Sequence, residues 1–162
     1  MHPNEALVRR FYDCFAGKDA AGMAACYHAD VVFSDPAFGE LRGGEPGAMW
    51  AMLLSRATDL EAGCDHAGAD DARGIARWHA RYTFSQTGRP VLNRVEAAFE
   101  FRDGLIVRHR DHFSFWRWAR QALGPVGLLL GWAPMLKRKV QTGARRGLVG
   151  YMRSAAAASA AD

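Results

Sequence analysis

The first third of the chain spaces its apolar residues as helices do. Between residues 4 and 16 they lie three or four positions apart, which predicts a helix with one buried face: Leu7, Val8, Phe11, Cys14 and Phe15. Asp19 can cap a short second helix through Tyr27, and Pro46 suits the first turn of a third. Val31–Ser34, between the second and third helices, reads as a strand that Asp35-Pro36 ends.

The second half changes to a period of two, which is typical of strands. Apolar and polar residues alternate over Ile75–Ser85 and Val91–Phe101, and Asp103-Gly104 is a strong hairpin signal before a strand over Leu105–Phe113. Helices followed by an antiparallel meander predict an α+β domain, with a curved sheet folded against the helices.

Composition favours one soluble globular domain: of 162 residues, 49% are hydrophobic and 23% charged. The apolar run Pro125–Leu136 is too short to span a bilayer, and the first residues do not resemble a secretory signal. Cys14, Cys26 and Cys64 are odd in number and lack metal-ligand spacing, which indicates a reduced cytoplasmic location without a disulfide scaffold or a metal.

Charge is distributed unevenly along the chain. Through Trp116 there are 13 basic and 16 acidic residues, a net charge of −3, whereas from Arg117 onward there are 8 basic and 1 acidic, a net charge of +7. The basic tail follows no known nucleic-acid motif, so we expect a solvated helix face and no nucleic-acid partner.

Two segments, Tyr27–Pro36 and Asp103–Phe113, resemble the nuclear transport factor 2-like superfamily, which includes ketosteroid isomerases, SnoaL-like polyketide cyclases and limonene-epoxide hydrolases. The resemblance implies that residues 1–124 form a cone-shaped curved antiparallel sheet, wrapped on three N-terminal helices and enclosing an apolar pocket. It also implies a homodimer. Residues 125–162 would be an apolar and then basic extension with a frayed, alanine-rich end.

Asp35 resembles the general base of the ketosteroid isomerases, because it occupies a similar Tyr…Asp…Asp-Pro context. A carboxyl group beside an apolar pocket acquires a raised pKa that suits proton transfer near neutral pH; the handling of carboxyl groups by ketosteroid isomerase is a known instance. The isomerase tyrosine and protonated acid correspond here to Phe11 and Ala97, which carry no donor. The usual steroid isomerase chemistry is therefore not expected.

Asp111 resembles a catalytic aspartate shared by the epoxide hydrolases and the cyclases. The Arg-x-Asp pair of the hydrolases corresponds to Trp78 and Ala80, while the tyrosine and asparagine that hold their water correspond to Phe33 and Asp35. For each of these enzyme families, this chain therefore retains one catalytic carboxylate and lacks the residues that assist it. Epoxide hydrolysis is the less favoured activity because its arginine is absent.

The central hypothesis is that Asp35 and Asp111 converge in one pocket. The alternative for Asp35 is an Asx-turn, and for Asp111 an ion pair with Arg110, Arg108 or Arg9. His109 shares the strand face of Asp111 and can form an acid–base pair with it. The alternative for His109 is a strand histidine bonded to backbone.

Tyr82 is the best-placed neutral donor for a substrate carbonyl, with Asn93 in reserve. The remaining predicted pocket residues form an aromatic interior suited to a flat apolar ligand: Phe11, Phe15, Phe33, Trp50, Trp78, Phe99 and Phe113, with Ala97 beside them. Within it, we expect Phe33, Trp50, Trp78 and Tyr82 to line the cavity.

These residues favour an acid–base enzyme of the isomerase or cyclase type, which acts without a cofactor on an apolar carbonyl compound. A non-catalytic binding or dimerisation module is the competing interpretation. The tail, Leu128–Trp132 followed by Lys137–Lys139, can be a lid, a dimer arm or an interfacial membrane anchor. Packing on the body or on a partner is favoured, because glycine and proline interrupt any single long amphipathic helix.

Overall fold

A computed structural model describes all 162 residues as six helices and six strands. The helices are α1 Pro3–Ala16, α2 Ala20–Ala25, α3 Glu45–Arg56, α4 Phe115–Ala122, α5 Pro125–Leu130 and α6 Pro134–Ala161. The strands are β1 Tyr27–Asp35, β2 Gly39–Arg42, β3 Glu61–Ala69, β4 Arg73–Phe84, β5 Arg89–Arg102 and β6 Leu105–His112.

The predicted α+β fold is confirmed: the strands form one curved, unclosed sheet in the order β2-β1-β6-β5-β4-β3. The expectation of a purely antiparallel sheet was wrong, because β1 and β6 pair in parallel while all other neighbours are antiparallel. The sequence pattern did not predict two of the strands. β2 is only four residues long, and β3 is rich in glycine and alanine, so neither shows a clear alternation.

The N-terminal helices pack against the concave face of the sheet and bury a large apolar core. The Asp19 side chain caps α2 by accepting a hydrogen bond from the Gly22 amide at 2.8 Å, and Pro46 lies in the first turn of α3, both as predicted. The second helix ends at Ala25 rather than continuing through Tyr27, because Tyr27 already belongs to β1.

The C-terminal region departs most from the prediction. Residues 134–161 form one continuous helix in spite of their glycines, and the alanine-rich end, expected to be frayed, is helical through Ala161. Leu148 on α6 is buried against the body, and α6 packs on α3. None of the helices is both long and apolar enough to cross a membrane.

Candidate functional site

A cavity of about 640 Å³ lies between the concave face of the sheet and helices α3, α4, α5 and α6. Its volume suits a small organic ligand, and 20 of its 30 lining residues are hydrophobic. Eight of the residues predicted for the site line it: Phe15, Asp35, Trp50, Trp78, Tyr82, Asn93, Asp111 and Phe113. Asp35 and Asp111, 76 positions apart in the sequence, are therefore brought to one chamber.

Five other predicted residues do not reach the cavity: Phe11, Phe33, Ala97, Phe99 and His109. All of them are buried in the layer behind its wall. The rings of Phe11, Phe33 and Phe99 pack around the imidazole of His109 at centroid distances of 5.4, 5.1 and 4.5 Å. The side chains of this layer pack behind the wall and do not line the cavity.

Asp35 combines the two interpretations that the sequence left open. Its Oδ1 accepts hydrogen bonds from the backbone amides of Ala37, at 2.9 Å, and Phe38, so it does form a turn at the end of β1. The same side chain is partly accessible from the cavity, and no side chain of the protein hydrogen-bonds to it. The turn therefore fixes a carboxyl group that still faces the ligand space.

The environment of Asp35 makes it a weak acid. Burial, and to a smaller extent the negative charge of Asp111, raise the pKa of this carboxyl to about 7 against the opposing effect of the turn amides of Phe38, Ala37 and Gly39. Burial is the largest cause, so the second carboxylate is an auxiliary influence rather than the origin of the shift. A carboxyl group with this pKa can take up and release a proton near neutral pH.

Asp111 is held by two donors on the inner face of the sheet. Its Oδ1 lies 3.2 Å from Nε1 of Trp78 and 3.0 Å from Nε2 of His109. Trp78 on β4 reaches Asp111 on β6 across β5, where the small side chain of Ala97 lies directly opposite Asp111 in the register. No arginine pairs with Asp111, since Arg9 and Arg108 bind Glu5 and Glu100, and the ion-pair interpretation was wrong.

A chain of buried hydrogen bonds continues behind Asp111. His109 Nδ1 lies 2.8 Å from the hydroxyl of Tyr27, which accepts from Nε1 of Trp50 at 2.9 Å. Nε2 of His109 donates to Asp111 in the tautomer whose Nδ1 accepts the hydroxyl proton of Tyr27. Burial raises the pKa of Tyr27 well above its usual value and keeps this proton in place. The expected backbone partner of His109 was wrong; its partners are side chains.

Tyr82 lines the cavity, and no group of the protein accepts its hydroxyl proton. Its oxygen accepts a hydrogen bond from Nε1 of Trp118 at 2.9 Å, so its own proton remains available to a ligand. Burial raises the pKa of Tyr82, while the bond from Trp118 opposes the shift. The group is therefore a neutral donor at physiological pH. Asn93, the reserve donor, lines the same cavity.

The sequence offered the C-terminal tail as a lid among three alternatives, but it assigned none of the residues after Phe113 to the site. Trp118 on α4, Val126 on α5, and Leu136 and Val140 on α6 complete the apolar wall. Two cations, Arg56 and Lys139, lie at its exposed rim. The only signal for these residues in the sequence was the apolar run near residue 130. The periodicity of the sequence does not show where this run lies relative to the sheet.

The titratable residues do not form a metal site: no group of three or more His, Cys, Asp or Glu side chains is placed to hold an ion. The cysteines are free thiols outside the cavity. The titratable groups that line the cavity are the carboxyl groups of Asp35 and Asp111, the phenol of Tyr82 and the two cations at the rim.

Known structures share this arrangement of a curved sheet over helices. A LEH-like epoxide hydrolase from M. tuberculosis aligns with a TM-score of 0.63 and 23% identity, covering 79% of this chain and 96% of that one. A putative polyketide cyclase from Silicibacter sp. tm1040 aligns with a TM-score of 0.62 and 22% identity, covering 73% of this chain and 93% of that one. A protein from Catenulispora acidiphila with a ketosteroid isomerase-like fold, in complex with trimethylamine, aligns with a TM-score of 0.64 and 15% identity. This alignment covers 74% of this chain and 93% of that one.

These likenesses define the class: the protein has the nuclear transport factor 2-like fold. The chain belongs to the SnoaL-like domain family, whose model matches residues 8–109, more than half of its length. A search of curated proteins gives no significant match. The family assignment agrees with the resemblance seen in the sequence, and it leaves the reaction to be argued from the site.

Proposed function

We propose that the protein is a cofactor-independent acid–base enzyme of the isomerase or cyclase type, and that its substrate is an apolar carbonyl compound. The observation that carries this proposal is the shared cavity of Asp35 and Tyr82, a fixed carboxyl group and a free phenolic proton within one apolar chamber. Proton abstraction beside a carbonyl needs these two groups: a base, and a donor for the oxygen that becomes negative.

In the proposed reaction, the Asp35 carboxylate removes a proton from the carbon next to the substrate carbonyl. The electron pair of the broken C–H bond forms the enolate, whose oxygen accepts a hydrogen bond from the Tyr82 hydroxyl. In an isomerisation, protonated Asp35 returns the proton to another carbon of the same conjugated system. In an aldol cyclisation, the enolate carbon attacks a second carbonyl and the new alkoxide takes that proton. Both routes leave Asp35 ionised again.

Asp111 supports this chemistry from the side of the sheet. The hydrogen bonds from Trp78 and His109 stabilise its negative charge, and that charge adds to the raised pKa of Asp35. His109 does not reach the cavity and acts only through Asp111, so it is a positioning residue. In this proposal Tyr82 supplies the donor that Phe11 and Ala97 cannot.

The test uses 2-tetralone, an apolar bicyclic ketone with acidic α-hydrogens, in deuterated buffer. The wild-type protein should accelerate incorporation of deuterium at the α-carbon, measured by proton NMR. Asp35→Asn should lower this rate by about 100-fold or more, and Tyr82→Phe by about 100-fold, because each removes one group of the reaction. The wild-type rate should also rise with pH through about 7, as Asp35 ionises.

Asp13→Asn is the matched control, because Asp13 is an exposed carboxylate outside the cavity. It should exchange the ketone at the wild-type rate. If 2-tetralone binds the wild-type protein without any accelerated exchange, the protein is a binding module and the enzymatic proposal fails. If Tyr82→Phe leaves both affinity and exchange unchanged, the role of Tyr82 fails.

A further inference from the structure

A group of exposed apolar side chains lies on α5 and at the start of α6. Five residues in a span of eight are about half exposed or more: Leu128 52%, Leu129 68%, Leu130 47%, Trp132 74% and Met135 77%. Exposed apolar patches of this kind mark interaction surfaces in folded proteins. We call these five residues the apolar cap.

The fold holds the apolar cap outward. Gly127 of α5 packs against α4 so closely that a Cβ atom at Gly127 would lie 1.9 Å from the backbone oxygen of Ala119. The indole of Trp116 donates to the carbonyl of Leu128 at 3.1 Å, which also fixes α5 on α4. Because the glycine side of α5 faces the body, its leucine side chains project away from it. The cap is therefore part of the folded surface and not a loose tail.

Positive charge lies next to the apolar cap along the chain. Lys137, Arg138 and Lys139 begin two positions after Met135, and all three are exposed. Arg117 and Arg120 are exposed on the neighbouring α4. No acidic residue occurs between Asp111 and Asp162, so nothing in this part of the sequence offsets the cations.

The apolar cap also borders the cavity. Val126 on α5 is 53% exposed and lines the cavity, as do Leu136 and Lys139 on the first turns of α6. The rim of the cavity and the cap are therefore continuous along the same two helices. A surface seated on the cap would lie beside the entrance for an apolar ligand.

We propose that the apolar cap and its cations dock on the surface of an anionic lipid bilayer. Leucine, methionine and tryptophan side chains beside a cluster of lysine and arginine match the two components of that surface, its acyl boundary and its charged headgroups. A polar protein partner would not match the exposed leucines, and the cations would repel one another across two copies of the cap. Docking places the cavity entrance against the membrane, where apolar compounds concentrate.

Flotation of the full-length protein with vesicles tests this docking. The protein should float with vesicles that contain phosphatidylglycerol and much less with phosphatidylcholine alone, and raised salt should weaken the binding. Leu129→Glu should reduce the partition coefficient at least tenfold. The double variant Lys137→Gln, Arg138→Gln should reduce it about 25-fold, since each cation near an anionic surface contributes about fivefold.

Matched controls lie on the convex face of the sheet. Ile75, itself 58% exposed, is changed in Ile75→Glu, and two exposed cations are changed in Arg81→Gln, Arg94→Gln. Both controls should bind vesicles as the wild type does. Failure to float with anionic vesicles, or equal loss in the controls, overturns the proposal. The proposal is also overturned if the wild-type protein is a dimer that does not bind vesicles and Leu129→Glu converts it to a monomer. In that case a second copy of the chain covers the apolar cap.

Discussion

Two buried tyrosines show how strongly the role of a side chain depends on its partners. The Tyr27 hydroxyl accepts from Trp50 and donates to His109, so it completes the chain that holds Asp111. The Tyr12 hydroxyl is equally buried and has no hydrogen-bond partner. Burial raises the pKa of both phenols, so both remain neutral. Only one of the two hydroxyls therefore contributes a hydrogen bond to stability.

Removing each hydroxyl separately should give opposite results. Tyr27→Phe leaves the indole N–H of Trp50 and Nδ1 of His109 unpaired in the core, and it should lower the free energy of unfolding by about 1–3 kcal/mol. Tyr12→Phe removes an unsatisfied polar atom and should be neutral or slightly stabilising. Urea denaturation followed by circular dichroism measures both. Equal losses in the two variants would contradict the hydrogen-bond chain.

At the scale of elements, α6 is tied to the turn that positions Asp35. Gln141 donates to the carbonyl of Pro36 at 3.0 Å, and Arg145 donates to the carbonyls of Phe38, at 2.9 Å, and Glu40. The amides of the same turn bind the Asp35 carboxyl. The C-terminal helix thus supports the proposed base although it lies outside the matched family domain.

Arg145→Ala should loosen this turn. We expect faster hydrogen exchange at the Phe38 amide and a loss of stability of about 1–2 kcal/mol, because two backbone carbonyls lose a charged donor. The exchange is measured by NMR and the stability by thermal unfolding. Arg146→Ala is the control, since Arg146 makes no hydrogen bond or ion pair and is exposed. The same exchange rate in both variants would rule out the supporting role of α6.

At the scale of the whole molecule, the burial that makes the carboxyl group of Asp35 reactive also lowers the stability of the folded protein near neutral pH. The pKa of Asp35 is about 7 in the folded protein and about 4 in an unfolded chain. At pH values between about 4 and about 7, Asp35 holds a proton in the folded state that it has lost in the unfolded state. Stability contributed by protonated Asp35 is therefore complete below about pH 4 and is lost as pH rises to about 7.

Asp35→Asn should remove this pH dependence, because asparagine keeps a side-chain oxygen for the turn and carries no charge. Relative to wild type, the variant should gain about 2–3 kcal/mol of stability between pH 5 and pH 8. Urea unfolding at both pH values gives the difference, in which the other titrating groups cancel. Asp13→Asn, on an exposed carboxylate, should show no such change. A constant difference for Asp35→Asn would mean that the group titrates normally.

The sequence alone predicted the elements whose pattern is local. Helical spacing located the apolar face of α1, alternation located β4 and β5, and the Asp103-Gly104 turn signal located β6. The capping role of Asp19 needed only its immediate neighbours. The motifs around Asp35 and Asp111 also predicted that both carboxyl groups belong to one site. Period and turn chemistry act over a few residues, so they can be read without knowing the fold.

Tertiary structure alone decided what each functional group contacts. Strand alternation placed His109 and Asp111 on the same face, but only packing put His109 behind the wall and Asp111 on it. The contact between Trp118 and Tyr82, and the course of α6 over the cavity, join segments far apart in the chain. Such contacts depend on how complete elements pack together, and no residue pattern within one element specifies that.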